Sequence, residues 1–181
     1  MKKTRTISLS SIPGGGKTEI TGLLNNSLEN SKALFAADYT FNGPENLTEW
    51  MLRGSNYDEW DTGPLAEDIR KIIADENNDC EYLLIEYPFG GENSELKKLI
   101  DLNVFIDTPF DIAMARRILH EYDKEESVGE ILIELQEYLS GGRSVYLHMQ
   151  NTLISAAKII IDGSQENDLI VQEIIEAIKA G

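Results

Sequence analysis

A glycine cluster followed by a lysine and a threonine lies near the start of the sequence, between an apolar run and a helical pattern. Residues 11–18 read Ser-Ile-Pro-Gly-Gly-Gly-Lys-Thr, which keeps the second half of the phosphate-binding pattern G-x-x-x-x-G-K-[ST]. In this pattern the last glycine lets backbone N–H groups approach a phosphate, the lysine reaches its oxygens, and the hydroxyl can bind Mg²⁺. The following helix adds its positive dipole end. The segment predicts a nucleotide site.

The predicted nucleotide-binding residues are Pro13, Gly14, Gly15, Gly16, Lys17, Thr18 and Glu19. Ser11 replaces the first glycine of the pattern, and this costs little if its backbone keeps a negative φ angle. The alternative is a glycine-rich turn without a ligand. Placement after a strand pattern and before a helix pattern favours the nucleotide site.

The charge balance limits the partners that the chain can have. Sixteen lysines and arginines against 32 aspartates and glutamates give a net charge of −16. Such a surface repels nucleic acid and anionic membranes, so an anionic ligand has to be held by a few local cations and backbone amides. Cys80 is the only cysteine, which excludes an internal disulfide. The basic start, with a short apolar run, is neither a signal peptide nor a membrane span, and we expect a cytoplasmic protein.

Apolar runs alternate with amphipathic segments along the chain. Strands are predicted at residues 4–10, 33–37, 81–86, 103–107 and 158–161, and helices at 17–28, 65–74, 95–102, 111–121, 128–139, 144–157 and 165–180. The helix at 128–139 is expected to end at Gly141-Gly142, and residues 38–64 show no period. The pattern predicts an α/β fold, with a mainly parallel sheet covered on both faces.

Three further segments resemble the uridine kinase-like branch of the P-loop kinases. They are "EYLLIEYPFGG", "NVFIDTPFDIAMARRILHEY" and "AAKIIIDGS", in the order that the family has them. The resemblance implies a P-loop NTPase fold in one domain, residues 1–181. It has three α/β/α layers, a five-stranded sheet, an acceptor region at about 38–64 and a small helical lid at about 116–127. It also implies ATP and Mg²⁺ as cofactors.

The resemblance assigns roles to residues at two strand ends. Glu86 matches a glutamate near Mg²⁺ and the acceptor hydroxyl, so that Thr18 and Glu86 are the predicted metal ligands. Tyr87 stands where the family has glycine, which narrows the expected acceptor pocket. Asp38 matches the proposed general base, a role that a carboxylate can perform, and Tyr39 follows it as an aromatic residue does in the family. Asp38 could instead be a turn residue that caps the next segment.

The resemblance also assigns Arg116 and Arg117 to the lid, where arginines meet the transferring phosphoryl group. The planar guanidinium suits this role because it binds two oxygens and stays charged. One of the pair could be a solvated helix residue, since neighbours on a helix point about 100° apart. The family carries further arginines downstream, whereas here His120 and residues 123–126 leave only Lys124 as a fixed positive charge. Phosphoryl transfer is therefore less strongly predicted than nucleotide binding.

The acceptor region indicates which substrates to expect. Arg53 is its only cation and a candidate acceptor-binding residue. It stands among the acidic residues Asp38, Glu45, Glu49, Asp58, Glu59, Asp61 and the flanking Glu67. Because monophosphate kinases typically need two or more arginines, an uncharged hydroxyl fits better. The aromatic residues of the region either stack on a base or pack a small cap over the sheet: Tyr39, Phe41, Trp50, Tyr57 and Trp60.

Together these features predict an ATP-dependent kinase that phosphorylates a hydroxyl of a nucleoside, uridine- or cytidine-like, or of a similar small metabolite. Lys17, Asp38, Arg116 and Arg117 are the predicted catalytic residues. A nucleoside monophosphate or a vitamin precursor is an alternative acceptor, and a nucleotide-binding regulator without transfer activity is an alternative class. The sequence does not decide which base the nucleotide donor carries. It also does not decide whether the protein forms a homo-oligomer.

Overall fold

The computed structural model describes residues 4–122 and 128–180, which form five strands and eight α-helices. The strands are β1 (Arg5–Ser10), β2 (Ser31–Phe35), β3 (Tyr82–Glu86), β4 (Leu102–Asp107) and β5 (Ile159–Asp162). The helices are α1 (Lys17–Ser27), α2 (Leu47–Leu52), α3 (Gly63–Ala74), α4 (Ser94–Lys97), α5 (Phe110–Glu121), α6 (Val128–Glu137), α7 (Arg143–Ala156) and α8 (Asn167–Ala180). The part of the predicted lid at residues 123–127 lies outside the described residues.

The five strands form one parallel sheet in the order β2-β3-β1-β4-β5. Strand β1 lies at its centre, with Leu9 opposite Glu86 on one side and Val104 on the other. Because all strands run the same way, their carboxyl ends meet at one edge, where ligands of open α/β sheets bind. The predicted parallel five-stranded sheet is confirmed.

Helices cover both faces of this sheet, which explains why its strands are apolar without alternation. In β3, Leu83, Leu84 and Ile85 are all fully buried. One core packs α1 and α8 against the sheet, and the other packs α3, α7 and the aromatic residues of the acceptor region against the opposite face. The molecule therefore has the three α/β/α layers that the sequence predicts.

The predicted helix end at Gly141-Gly142 is wrong. Residues 138–142 form a π-helical turn, and Gly142 has helical backbone angles (φ −56°, ψ −39°), so that α6 continues through it into α7. A glycine costs a helix interior only about 1 kcal/mol. Burial of Val145, Met149 and Leu153 on α7 outweighs that cost.

The helix predicted at 95–102 is also shorter than expected, since α4 ends at Lys97. The backbone N–H of Asp101 donates to the carbonyl of Thr6 at 3.0 Å, and Leu102 opens β4 opposite Ile7. Because Asp101 and Leu102 pair with the central strand β1, they are not part of the helix.

The acceptor region, which shows no period in the sequence, folds around the short helix α2. The Asn46 side chain accepts a hydrogen bond from the backbone N–H of Glu49 and caps this helix. Trp50 and Tyr57 are buried and pack edge to face at 5.0 Å between ring centroids. Trp60 packs on Phe89, also at 5.0 Å. The region is a small cap fixed to the sheet by aromatic packing.

Candidate nucleotide and acceptor site

The glycine-rich loop connects β1 to α1 at the carboxyl edge of the sheet. Gly14 and Gly16 have φ angles of 77° and 92°, in the left-handed region that glycine adopts without strain. The non-glycine residues with positive φ in the described ranges are Asn30 and Ser55, so Ser11 has the negative φ that the sequence analysis required. The serine in place of the first glycine does not strain the loop backbone.

Ser11 fits because Gly15 faces it without a side chain. A Cβ atom built on Gly15 would lie 2.7 Å from both the Cβ and the Oγ of Ser11, closer than such atoms approach. Ser11 is fully buried, and its hydroxyl donates to the carbonyl of Ile12 at 2.9 Å. Gly15, a glycine that the phosphate-binding pattern does not require, thus leaves space for the Ser11 side chain.

Thr108, the residue after β4, and helix α5 both contact the loop backbone. The hydroxyl of Thr108, which is fully buried, donates to the carbonyl of Gly15 at 2.9 Å. A Cβ atom on Gly14 would lie 2.1 Å from the carbonyl oxygen of Ala113, so the loop backbone packs directly on α5. The sequence does not predict this contact, because Thr108 and Gly15 are 93 residues apart in the chain.

Glu86 lies at the centre of the candidate site. Its carboxylate is buried, and Oε1 lies 3.4 Å from the Lys17 Nζ and 3.3 Å from the Thr18 Oγ1, which donates to it. Oε2 accepts a hydrogen bond from the backbone N–H of Ala36 at 2.9 Å. The end of β3 thereby joins the glycine-rich loop to the end of β2, so that Lys17, Thr18 and the backbone of Ala36 meet around one carboxylate.

The donors around Glu86 fit a magnesium ion. A carboxylate and a hydroxyl oxygen are the ligands that Mg²⁺ takes from proteins, and it usually keeps several waters and substrate phosphate oxygens besides. Within residues 4–122 and 128–180 no cluster of three or more histidine, cysteine, aspartate or glutamate side chains could hold a metal by itself. Thr18 and Glu86 would supply two of the magnesium ligands, and waters and phosphate oxygens would supply the others.

Asp38 and Tyr39 lie where β2 ends. Asp38 is exposed within a short 3₁₀ turn, two residues beyond the Ala36 N–H that Glu86 accepts. The hydroxyl of Tyr39 donates to Asp68 on α3 at 3.1 Å. Burial, followed by that hydrogen bond, raises the pKa of Tyr39 to about 12, so its hydroxyl stays protonated at neutral pH. Asp38 thus has an exposed carboxylate next to Tyr39 in the chain.

The two arginines of α5 point in different directions. Arg116 donates from Nη1 to the carbonyl of Gly163 at 3.2 Å, and this atom lies 3.6 Å from where a Cβ of Gly16 would be. Arg116 therefore reaches the phosphate-binding loop and the loop after β5.

Arg117 is bound by neighbouring helices instead. Its Nε lies 3.0 Å from Glu121 on α5 and 3.0 Å from Glu134 on α6, and its Nη1 donates to the Tyr146 hydroxyl on α7. Although burial opposes the charge, the hydrogen bond to Glu121 and the charges of Tyr146, Glu121 and Glu134 raise the pKa of Arg117. These partners could not be found from the sequence, because Glu134 and Tyr146 are 17 and 29 residues away.

Arg53, the candidate acceptor-binding cation, is exposed, and its ion-pair partner is Glu59 rather than Glu86. Both of its terminal nitrogens contact the carboxylate of Glu59, with Nη1 to Oε1 at 2.6 Å. Of the aromatic set, Trp50 and Tyr57 are buried in packing contacts, and Phe41 packs on Tyr87, which is outside the set and fully buried. The packing interpretation of the aromatics is the correct one for the two buried rings.

Comparison with known proteins agrees with this geometry. No protein-family model matches the chain. A uridine kinase of Macrococcus caseolyticus is 26% identical over 197 residues and covers 94% of each chain, and one of Staphylococcus aureus is 25% identical over 195 residues, covering 94% of this chain and 93% of its own. Among solved structures, a possible uridine kinase from Bacillus stearothermophilus has a TM-score of 0.56 and 15% identity, covering 90% of each chain. Shikimate kinase from Aquifex aeolicus has a TM-score of 0.51 and 16% identity over 97% of this chain and 96% of its own.

The sheet order, the loop and these structural neighbours define a protein with the P-loop NTPase fold, of the type found in small-molecule kinases. Over 94% of its length the chain is similar to proteins named uridine kinase, which confirms the predicted resemblance to the uridine kinase-like P-loop kinases. Within the described ranges, the helices are too short or too polar to cross a lipid bilayer.

Proposed function

We propose that the chain is a kinase that transfers the γ-phosphoryl group of ATP to a hydroxyl of a nucleoside of the uridine or cytidine type. Relatives named uridine kinase, matched along nearly the whole chain, support the reaction class. The loop from Gly14 to Thr18 supports a nucleoside triphosphate as donor, because its backbone and lysine suit a chain of phosphates. With ATP as donor, the proposed setting is the cytoplasm.

The observation that carries the proposal is the cluster of Lys17, Thr18 and Glu86 beside the end of β2. Phosphoryl transfer needs a neutralised phosphate and an oriented hydroxyl within a few ångströms of each other. The cluster supplies the positive charge that neutralises the phosphate. Asp38 lies on the turn whose Ala36 N–H binds Glu86, and we infer that it orients the hydroxyl.

Each residue has a role in the proposed reaction. Lys17 and the loop amides bind and neutralise the phosphates, and Arg116 approaches the transferring group from α5. Asp38 accepts the proton of the acceptor hydroxyl. Thr18 and Glu86 would hold magnesium, which supplies charge neutralisation when it is bound.

An uncharged acceptor is favoured by the acceptor region. Arg53 is its only cation, and Glu59 already binds the guanidinium with both of its oxygens. No cation of this region is therefore left to neutralise the phosphate of a nucleoside monophosphate without breaking that pair. A nucleoside hydroxyl needs no such charge.

Single-turnover product analysis tests the proposal. The protein is mixed with γ-labelled ATP, magnesium and one acceptor at a time from a panel of nucleosides, their monophosphates and hydroxylated vitamin precursors. We expect the label in a nucleoside monophosphate. Label transfer only to another acceptor would reject the nucleoside. ATP binding without transfer to any acceptor would instead identify a nucleotide-binding regulator.

A further inference from the structure

Asn42 and Gly43 form the single asparagine-glycine pair of the sequence, and they lie in the acceptor region. Both residues are exposed and belong to a segment without helix or strand. Asparagine is a thermally labile residue type, because its side-chain carbon can be attacked by the next backbone nitrogen. A following glycine favours this attack, since it has no Cβ atom to obstruct it. Neither residue has a role in the proposed kinase reaction.

Packing against Trp60 requires a glycine at residue 43. A Cβ atom there would lie 2.4 Å from Cε3 and 2.6 Å from Cδ2 of the indole ring. The carbonyl of Asn42 accepts the backbone N–H of Asp61 at 2.7 Å, which holds the segment next to Trp60. The fold thus places a glycine after the asparagine for a steric reason, and this creates the reactive pair.

No other contact restrains the two reacting groups in the part of the chain that the structure describes. There the Gly43 backbone N–H has no acceptor, and the side-chain amide of Asn42 forms no hydrogen bond. Asn46 is exposed as well, but its Oδ1 accepts the Glu49 N–H at 3.0 Å as the cap of α2. The cap restrains the Asn46 side chain, whereas the Asn42 side chain can turn toward Gly43.

We propose that Asn42 is a site of covalent modification, where the protein deamidates spontaneously and forms an isoaspartyl link. The Gly43 backbone nitrogen gives its proton to water and attacks Cγ of Asn42. A bond forms between these two atoms, the bond from Cγ to Nδ2 breaks, and ammonia leaves. Water then opens the cyclic imide. Opening at Cγ gives aspartate, and opening at the main-chain carbonyl gives isoaspartate, in which Gly43 is linked through the former side chain.

The isoaspartyl product changes the acceptor region more than the aspartyl product does. Both add a negative charge to a region in which Arg53 is the only cation. Isoaspartate also lengthens the main chain between residue 42 and Gly43 by one carbon atom. The close fit of Gly43 on Trp60 leaves no space for this extra atom, so the hydrogen bond between Asn42 and Asp61 is lost.

Ageing of the full chain tests the modification. The folded protein is incubated at neutral pH, and its tryptic peptide 33–53, which contains both Asn42 and Asn46, is followed by mass spectrometry. We expect Asn42 to convert to aspartate and isoaspartate about tenfold or more faster than Asn46, because its reacting atoms can approach each other. An Asn42 amide that stays intact in the folded protein would overturn the proposal, whether or not the urea-unfolded chain converts.

Matched variants identify the residue that is modified. Methyl transfer by an isoaspartyl methyltransferase measures the isoaspartate in the whole aged chain. Asn42→Gln should remove most of this signal, because its longer side chain closes a ring less readily. Asn26→Gln, at an exposed position on α1, should leave the signal unchanged. Equal signals from the two variants would contradict the site.

Hydrogen exchange at Asp61 tests the structural consequence. In the isoaspartyl fraction of aged protein the Asp61 amide should exchange about tenfold faster or more than in fresh protein, because its hydrogen bond to residue 42 is lost. Asn42→Asp has the new charge but an ordinary main chain, and should keep the protection of fresh protein. Unchanged protection in the isoaspartyl fraction, or an equal loss in Asn42→Asp, would overturn the inferred effect of the longer main chain. None of these measurements depends on kinase activity.

Discussion

At the residue scale, Lys17 provides the sharpest test of nucleotide binding. Its ammonium group lies 3.4 Å from Glu86 and at the start of α1, where phosphates would be bound. Lys17→Ala should weaken ATP binding by about ten- to hundredfold, since a charged hydrogen bond to phosphate is lost. Titration calorimetry measures the affinity, and circular dichroism shows that the variant is folded. Lys32→Ala, at an exposed lysine bound to Asn78, is the control and should bind ATP normally. Equal affinities for both variants would reject the role of Lys17.

Asp38 is the residue on which the proposed chemistry depends most. Asp38→Asn keeps the shape of the side chain but removes the proton acceptor. Because general-base catalysis contributes about 10²–10⁴-fold, kcat should fall by that factor while ATP affinity stays unchanged. The exposed Asp58 serves as a control, because Asp58→Asn changes the charge by the same amount elsewhere in the acceptor region. Phosphoryl transfer by Asp38→Asn at the parent rate would show that another group, or water, takes the proton.

The sequence allowed prediction of those residues whose neighbours are fixed by a motif. Lys17 and Thr18 follow the glycine cluster directly, and Glu86 ends a strand that the parallel sheet brings to the same edge. Arg53 could be identified as a cation but not as the partner of Glu59, since that contact depends on how α2 and the following turn fold. The sequence shows that residue 53 is a cation, but only the structure shows that a neighbouring carboxylate neutralises its charge.

At the element scale, the phosphate-binding loop depends on a complementary pair, Ser11 and Gly15. A methyl group at residue 15 would lie 2.7 Å from the Ser11 side chain. Gly15→Ala should therefore lower the free energy of unfolding by about 1–3 kcal/mol, the usual cost of overpacking, and weaken ATP binding. Denaturant titration and calorimetry measure the two effects.

The double variant distinguishes this steric explanation from a need for glycine itself. Ser11→Gly removes two of the three atoms that lie within 3 Å of the new methyl group, so Gly15→Ala should cost less in its presence than in the parent protein. Additive losses in the double-mutant cycle would show that the two residues do not interact. In that case Gly15 would be required for its own backbone or for the nearby Ile12 carbonyl.

The two arginines of α5 have different surroundings, because α6 and α7 contact Arg117 but the glycine-rich loop lies near Arg116. Arg116 reaches the loop, so Arg116→Ala should lower kcat by about 10²-fold with a smaller change in ATP affinity, because the contact strengthens as charge develops. Arg117→Ala should instead reduce stability by about 1–3 kcal/mol, since it leaves the poorly exposed Glu134 without its cation. Steady-state kinetics and denaturant titration on both variants give the comparison. A larger loss of kcat for Arg117→Ala would reverse the assignment.

Most predicted helix boundaries agree with the structure to within two residues, and the exceptions are the end of the helix predicted at 95–102 and the end predicted at Gly141-Gly142. Two adjacent glycines ordinarily favour a helix end, but here Gly141 faces Thr48 of α2, and the helix continues through a π-helical turn. The strands could be predicted to within two residues because burial on both faces leaves an uninterrupted apolar run. At these two helix ends, contacts between distant elements outweighed the local pattern.

At the scale of the whole molecule, the net charge of −16 sets the electrostatic background of the site. In the proposed site, the cations available to the phosphates are Lys17 on the loop and Arg116 on α5. The acceptor region follows β2 in the chain and packs on one face of the sheet, and its cation Arg53 is already paired with Glu59. In the proposed reaction, a nucleoside triphosphate would meet these cations, whereas a second phosphate on the acceptor would meet a negative surface.

This asymmetry predicts that nucleosides are better acceptors than their monophosphates. A monophosphate carries about two negative charges that the region cannot neutralise, so kcat/KM for uridine or cytidine should exceed that for UMP or CMP by about tenfold or more. If repulsion by the whole surface contributes, raising the ionic strength should narrow the ratio, because screening acts on exposed charges over about 10 Å at 0.1 M salt. Glu59→Gln frees Arg53 and should improve the use of the monophosphate more than that of the nucleoside. Faster turnover of UMP or CMP by the parent protein would show that the acceptor phosphate is bound by groups outside this region, and would overturn the choice of a nucleoside.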